Sequence, residues 1–431
     1  MGAGSTYTPE LVDGLLRRGL PVTELVLHDV DQRRLSVLAG FVARMVAAAA
    51  QASMPGAAGG RPELQVTATT SLRDAVTGAR LVFSQFRVGG QAARHGDEEL
   101  GRRWEIVGQE TTGVGGFAKG LRTVTVALEV QRAVATYAAN DAWLVNFTNP
   151  AGMVTEALLA HGAGDPPRVV GLCNFPWVLQ ERLAAGLGTE PAALTMDYVG
   201  LNHLAWVRDV HVDGRSRLPD ALAVWRRGPD APFSARLVDD LGIVLNPYLQ
   251  YYYETERILE AQRESPTRAE VVAAVEADLL ERYADPRTRW DPAMLSGRGG
   301  TSYSVAAAAL AGDLVGTPHE RDEAGRRHVV NVRNGGALPG LPDDAVVETT
   351  CVVGPEGADP VATVELERPA RGLANQVKDF ERYTIEAATT GDRRSARLAL
   401  MTHPLCPDAS VVDRLLEDLL RVNRAWLPAF E

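Results

Sequence analysis

Two patterns of apolar positions alternate through the first half of the chain. Short apolar runs at 24–28, 64–68, 81–84, 143–147 and 169–172 have the length of buried strands. Between them, apolar residues recur three and four apart, which predicts helices over 8–18 and 31–50, a short one before Leu81, and a long one that follows Gly113–Gly116 and reaches Asn140. Thr8-Pro9-Glu10 is a helix start and Gly19 a helix stop. The Ala/Gly/Pro stretch 51–61 reads as a surface loop. Strands alternating with helices in this order predict an α/β fold with a doubly wound parallel, Rossmann-like sheet.

The pattern changes after Met196. Residues 204–217 read as a hairpin turning at Asp213-Gly214, and helices dominate 219–283. Strands near 328–332 and 346–353 follow, and the chain is helical from about residue 371. The expected division is a Rossmann-like domain over 1–195 and a mixed α+β domain over 196–431. There is no internal repeat and no long low-complexity linker, so the two parts are expected to share one site.

Charge narrows the partners. The net charge is −11, so no global positive field attracts nucleic acid or an anionic membrane, and neither is expected as a partner. A small anionic substrate remains open, because a few local arginines suffice. Cys173, Cys351 and Cys406 are far apart and form no paired motif, which suits a reducing compartment and a cytoplasmic location. No run is read as a membrane span, and the first residues lack the regions of a signal peptide.

Several residues could carry chemistry, each beside a plainer explanation. Gly2-Ala3-Gly4-Ser5 opens the first helix, where free N–H groups attract phosphate, and Asp29 follows at the spacing of a ribose-binding acid. Tyr7 stands where a third glycine is usual, so an ordinary glycine turn is the alternative. Only Met1 precedes Gly2, so the first strand of a dinucleotide fold is expected to be truncated. Cys173, at the end of a strand, and His203 could hold a divalent metal, or be a buried thiol and a satisfied core histidine. Residues 246–253 gather four tyrosines, either a core face or a base near a metal. Arg87, Arg94 and Arg298 lie in Gly-rich surroundings and suit phosphate, or surface ion pairs.

Taken together these segments resemble glycoside hydrolase family 4, the NAD- and metal-dependent glycosidases. The resemblance covers nearly the whole chain. It is carried by Gly2-Ala3-Gly4-Ser5-Thr6-Tyr7-Thr8-Pro9-Glu10, Gln85-Phe86-Arg87-Val88-Gly89-Gly90, Gly108-Gln109-Glu110-Thr111-Thr112-Gly113 and Asn146-Phe147-Thr148-Asn149-Pro150. Cys173-Asn174-Phe175-Pro176, Gly200-Leu201-Asn202-His203, Asn246-Pro247-Tyr248, Arg298-Gly299-Gly300 and the segment 331–336 complete it. The Cys-Asn-x-Pro form is similar to the 6-phospho-β-glucosidase branch.

The resemblance implies NAD and manganese, or another divalent metal, as cofactors. It implies that Cys173 and His203 bind the metal, and that Tyr248, Glu110 and Asn174 are catalytic. Gly2, Ala3, Gly4, Ser5, Thr6, Asp29, Gln85 and Asn146 are implied at the cofactor, and Arg87, Arg94, Asn149, Asn174 and Arg298 at the substrate. The implied reaction oxidises C3 of the sugar, removes the C2 proton through Tyr248, eliminates the aglycone, adds water and returns the hydride. The implied substrate is a small phosphorylated disaccharide or aryl glucoside, and the implied assembly a homodimer or homotetramer. Other readings are a relative acting on α-linked or unphosphorylated glycosides, a catalytically impaired sugar-phosphate binder, and a net dehydrogenase of the lactate/malate type. Departures from the family pattern are the truncated first strand, Asn334-Gly335-Gly336 in place of Asn-Asn-Gly, and the segment around Trp104-Glu105.

Overall fold

A computed structural model describes residues 1–52, 64–164, 168–227, 233–298, 302–316, 326–362 and 365–430. The loop expected over 51–61 falls almost wholly outside them. In the first part, strands β1 (Glu24–His28), β2 (Gln65–Thr69), β3 (Leu81–Ser84), β4 (Trp143–Asn146) and β5 (Val169–Leu172) alternate with helices. These helices are α1 (Thr8–Arg18), α2 (Gln32–Ala52), α3 (Leu72–Val76), α4 (Gly90–Arg103), α5 (Gly113–Tyr137), α6 (Ala151–His161) and α7 (Phe175–Leu187). β4 and β5 are buried at every position, as expected of strands covered by helices on both faces.

The sheet is split. β1 and β2 pair in parallel by themselves, and β3-β4-β5 form a second parallel block. Met1–Ala3 lies between the two. The Met1 carbonyl accepts from Gln85 N–H at 3.0 Å, and Ala3 N–H donates to the His28 carbonyl at 2.8 Å. In a doubly wound sheet the first strand runs in this slot, and among the described residues these few hydrogen bonds stand in for its ladder.

Beyond β5 the sheet continues without a break. Strands β6 (Leu194–Leu201), β7 (Leu204–Val212), β8 (Arg215–Ser216), β9 (Val244–Leu245), β10 (Arg327–Arg333), β11 (Val346–Gly354) and β12 (Gly357–Pro360) follow. The order is β3-β4-β5-β10-β11-β6-β7-β8, antiparallel from β5 onward, with β12 on β11 and β9 on β7. The hairpin at Asp213-Gly214 joins β7 to β8. The larger partner of β7, however, is β6, which the apolar pattern does not announce. β6 is flanked by strands on both sides and carries a bulge between Met196 and Tyr198, so its burial does not alternate cleanly. The division expected at 195 falls inside this strand.

Two further expectations change. Gly113, Gly115 and Gly116 lie inside the first turn of α5 rather than before it. A Cβ at Gly115 would stand 2.1 Å from the Gln109 carbonyl, and one at Gly116 2.7 Å from Thr111. Glycine is thus what lets the 109–111 loop fold against the helix. Contrary to the reading of no membrane-length run, Gln32–Gln51 is long and apolar enough to cross a bilayer by length and composition. In this fold its Leu35, Leu38, Phe41 and Val42 are fully buried, and α2 packs on α1 and on helix Arg268–Ala284.

The N-terminus of α5 is held by His403. Gly113 N–H lies 3.2 Å from its Nε2 and Leu405 N–H 3.1 Å from its Nδ1, and a neutral imidazole accepts one of the two. Burial lowers its pKa from 6.5 to about 3. The unfolded chain therefore binds a proton here near pH 6.5, whereas the folded chain does not until the pH nears 3. This contribution to stability is complete above pH 6.5 and is lost as the pH falls toward 3. From about pH 7.5 to about pH 5.5, the stability gap between wild type and His403→Gln should narrow by roughly 1 kcal/mol. Thermal or denaturant melts of the two proteins at both pH values read it directly, and a gap independent of pH contradicts the assignment.

Candidate active site

The carboxyl ends of β1, β3, β4 and β5 meet along one edge, where open α/β sheets place their ligands. Gly2 has φ +79°, and a Cβ on it would stand 2.7 Å from the Phe86 backbone. A Cβ on Gly4 would meet the Asp29 carboxylate at 2.9 Å. Gly4 N–H donates to Asp29 Oδ2 at 2.8 Å, and its carbonyl accepts from Arg34 Nε at 2.8 Å. Ser5 Oγ accepts from Tyr7 N–H (3.2 Å), Ala3 and Thr6 are buried in the turn, and Gln85 Nε2 donates to Thr8 Oγ1 at 2.8 Å.

The turn and Asp29 fit a dinucleotide. Side chains would fill the cradle at both glycines, no side chain caps α1, and an acid, Asp29, directly follows the adjacent strand. Tyr7 is tolerated at the third glycine position because its ring turns onto Phe147 and Tyr303, with centroids 6.0 and 5.8 Å away. Gly4→Ala should displace Asp29 and weaken NAD⁺ binding by about tenfold or more, the loss of roughly one charge-assisted hydrogen bond. Calorimetric titration measures it, and unchanged affinity would remove the turn from the cofactor site.

Asn146 does not face this edge. It is completely buried, its Nδ2 donates to Thr148 O, Ala151 O and Thr155 Oγ1, and its Oδ1 accepts from Ser84 Oγ and Thr148 N–H. Its side-chain amide is thus spent on the turn after β4.

The chemical end lies where β5 stops and β6 turns into β7. Cys173 Sγ and His203 Nε2 are 3.6 Å apart. A thiol and an imidazole nitrogen this close, both at strand ends, suit a shared divalent metal, which Cys173 and His203 would hold. Burial, and then the charge of Glu348, push the Cys173 thiol well above its usual range, and burial lowers His203 to about 3. A neutral imidazole is the form that ligates, and a cation beside the thiol reverses its penalty. Tyr248 lies flat on His203, with ring centroids 3.8 Å apart and planes 5° off parallel. Asn246 fixes it there: its Oδ1 accepts from Tyr248 N–H at 2.9 Å, and its Nδ2 donates to Tyr198 Oη at 2.8 Å.

A charged wall completes the site. Glu110 is half-buried between Arg87, Arg94 (3.4 Å) and Lys119 (2.7 Å). Burial opposes its ionisation, but Arg87, Lys119 and Arg94 together hold its carboxyl well below the usual range. Its charge is felt at both His203 and Tyr248. Arg94 is also paired with Glu98 at 2.7 Å, and its side chain is only 9% exposed, against 28% for Arg87. Arg87, though paired with Glu110, is thus the more exposed of the two arginines.

Other expected residues are placed differently. Asn174 Nδ2 donates to Ser302 Oγ at 3.0 Å, and Asn149 Oδ1 accepts from Ala151 N–H at 3.3 Å, beside the cis peptide bond to Pro150. The Arg298 side chain lies outside the described residues. Trp104, in the segment that departs from the family pattern, donates to Asp418 at 3.2 Å. Gly335 and Gly336 have φ +49° and +88°. Asparagine also tolerates the left-handed region, which explains how glycine replaces it in Asn334-Gly335-Gly336. Lys119 and Glu348, given no role from the sequence, also contribute, as do Gln109 and Thr111 on either side of Glu110. Glu348 accepts from Tyr198 Oη (2.9 Å), Asn202 Nδ2 (2.9 Å) and Asn331 Nδ2 (3.1 Å), and burial pushes it up to about 7. Gln109 and Thr111 sit in the same motif as Glu110, which was the available signal. Glu348 sits in an apolar strand without one.

Residues 1–189 match the family 4 glycosyl hydrolases, and residues 198–406 match the C-terminal domain of the same family. The chain belongs to glycosyl hydrolase family 4. It is 37% identical over 447 residues to a probable 6-phospho-beta-glucosidase of Bacillus subtilis, covering 100% of this chain and 97% of that one. It is 33% identical to the 6-phospho-beta-glucosidase BglT of Thermotoga maritima, over 99% of this chain and 98% of that one. A solved structure of the Thermotoga maritima 6-phospho-beta glucosidase with manganese, NAD⁺ and glucose-6-phosphate superposes with a TM-score of 0.87 at 32% identity, covering 99% and 97% of the two chains. Lactate dehydrogenase from Eimeria maxima, at 13% identity and a TM-score of 0.52 over 91% and 94%, shares the fold alone.

Proposed function

We propose that this family 4 enzyme hydrolyses 6-phospho-β-glucosides in the cytoplasm, using NAD and a divalent metal such as manganese. The observation that carries the reading is the buried Cys173–His203 pair with Tyr248 stacked on it. The β-specific reading is supported by the relatives: those named 6-phospho-beta-glucosidase are 33–37% identical, whereas the maltose-6'-phosphate and 6-phospho-alpha-glucosidases are 25–29% identical.

When bound, NAD supplies reversible oxidation of the sugar at C3, and the metal supplies Lewis acidity beside it. The residues do the rest. Cys173 and His203 would hold the metal, and the glycine turn with Asp29 would hold the dinucleotide. Tyr248 takes the proton from C2 and is the general base. Burial, then Tyr251 and Cys173, push its phenol well above its usual range, so it works as a base only with positive charge at the neighbouring pair. Glu110, kept ionised by its three cations, holds Arg87 toward the 6-phosphate. The free cysteines suit a reducing compartment. A homodimer or homotetramer is the proposed assembly, and a phosphorylated disaccharide or aryl glucoside the proposed substrate.

The test is a screen of chromogenic α- and β-glucosides, with and without the 6-phosphate, in the presence of NAD⁺ and Mn²⁺. Turnover of the phosphorylated β-glucoside alone supports the reading, and equal turnover of the plain glucoside overturns it. Arg87→Ala should raise KM for the phosphorylated substrate by roughly tenfold or more, the worth of one charge-assisted contact. An unchanged KM would take Arg87 out of the phosphate site.

A further inference from the structure

His203 has a second partner, on the loop between α4 and α5. Its Nδ1 lies 2.8 Å from Thr111 Oγ1, while its Nε2 faces Cys173. A distance alone does not say which atom holds the proton, but the neighbouring bonds do. Thr111 N–H meets the Gln109 side chain at 2.5 Å. A backbone N–H can only donate, so the atom it meets is the amide oxygen of Gln109 and not its NH₂. The same Oε1 lies 2.9 Å from Thr111 Oγ1, so the single hydroxyl proton of Thr111 is given to Gln109. Toward His203, Thr111 then offers only a lone pair, and Nδ1 must carry the proton. A neutral imidazole has one such proton, which leaves Nε2 with its lone pair toward Cys173.

The loop has little freedom to do otherwise. A Cβ at Gly115 would collide with the Gln109 carbonyl and one at Gly116 with Thr111, so the 109–111 segment rests directly on the first turn of α5. Thr111 is half-buried and Gln109 buried beneath it. The direction of each hydrogen bond is thus set by the protein before any ligand arrives.

We infer that Gln109 and Thr111 are positioning residues that lock His203 in the Nδ1–H tautomer, so that Nε2 and Cys173 present two lone pairs to one divalent cation. The inference rests on the metal reading above and adds to it how the histidine is prepared. Partners of this kind orient a metal-binding imidazole and raise its basicity, and their loss typically costs about 10- to 100-fold in metal affinity.

The test uses the full chain, stripped of metal and titrated with Mn²⁺ alone, with free Mn²⁺ followed by electron paramagnetic resonance. Thr111→Val keeps the shape and removes the hydroxyl, and should weaken Mn²⁺ binding by about 10- to 100-fold. Thr111→Ser restores the hydroxyl and should bind nearly as wild type does. Nitrogen-15 NMR of the metal-free proteins should place the His203 proton on Nδ1 in wild type and Thr111→Ser, with the Nε2–H form appearing in Thr111→Val. Equal Mn²⁺ affinity of Thr111→Val and wild type, or an Nε2–H tautomer in wild type, overturns the relay. A wild type that binds Mn²⁺ no more tightly than Cys173→Ser overturns the metal reading itself, and the inference with it.

Discussion

Cys173→Ser should lose turnover by at least about a hundredfold while the protein stays folded, because a bound cation supplies several kcal/mol to a developing negative charge. His203→Ala should do the same. Serine matches cysteine in shape at a position that is 5% exposed, so packing is kept, but a hydroxyl does not ionise to become a soft ligand as a thiol does. The loss should persist at saturating NAD⁺ and phosphorylated substrate. Chelation should abolish wild-type activity and added Mn²⁺ restore it, with neither treatment changing the variants. Oxidation of Cys173 should inactivate the wild type for the same reason, and bound metal should slow that oxidation. Full activity in either variant after metal is restored removes the pair from the chemistry.

The second large effect is expected at Tyr248. Removing a general base typically costs about 10² to 10⁴ in rate. Phenylalanine keeps the ring on His203 at the same stacking distance and keeps the backbone bond to Asn246, so Tyr248→Phe should bind NAD⁺ and Mn²⁺ as wild type does. The effect should therefore fall on kcat, with KM little changed. A variant that turns over normally gives the proton transfer to another group. A variant that also loses Mn²⁺ makes the tyrosine a support for His203 instead.

Sequence pattern disclosed the first half of the fold well. The ends of β3 and β5 follow their apolar runs residue for residue, and β5 is buried at every position while β3 alternates between buried and half-buried. β6 went unread because it is an inner strand with a bulge, and its partners β7 and β11 are far apart in the chain. Gly113–Gly116 were placed outside α5, since nothing local shows that the 109–111 loop would need their missing side chains.

The site was legible as residue types and only partly as geometry. Residue types make Cys173 and His203 a possible metal pair beside a plainer alternative, and the family resemblance favours the metal. In space, β10 and β11 lie between their strands, and it is the convergence of strand ends that brings them together. Asn146 carries a motif-like position but turns inward, because the sharp turn after β4 needs its amide. Arg94 looked free for phosphate, yet Glu98, one helical turn along, was in the sequence to pair with it. Thr111 stands in the same motif as Glu110, but a hydroxyl has no charge to mark its role.

The central claim is that Tyr248 removes the C2 proton of the sugar during each turnover. A glycosidase working through two carboxylates leaves that bond intact, and a net dehydrogenase accumulates NADH. The deciding measurement is hydrolysis of the phosphorylated β-glucoside in heavy water, with the released glucose 6-phosphate examined by NMR or mass spectrometry. Deuterium at C2 of the product, with NADH not accumulating, is the result this account predicts. Product from an active enzyme that carries no solvent deuterium at C2 would contradict it.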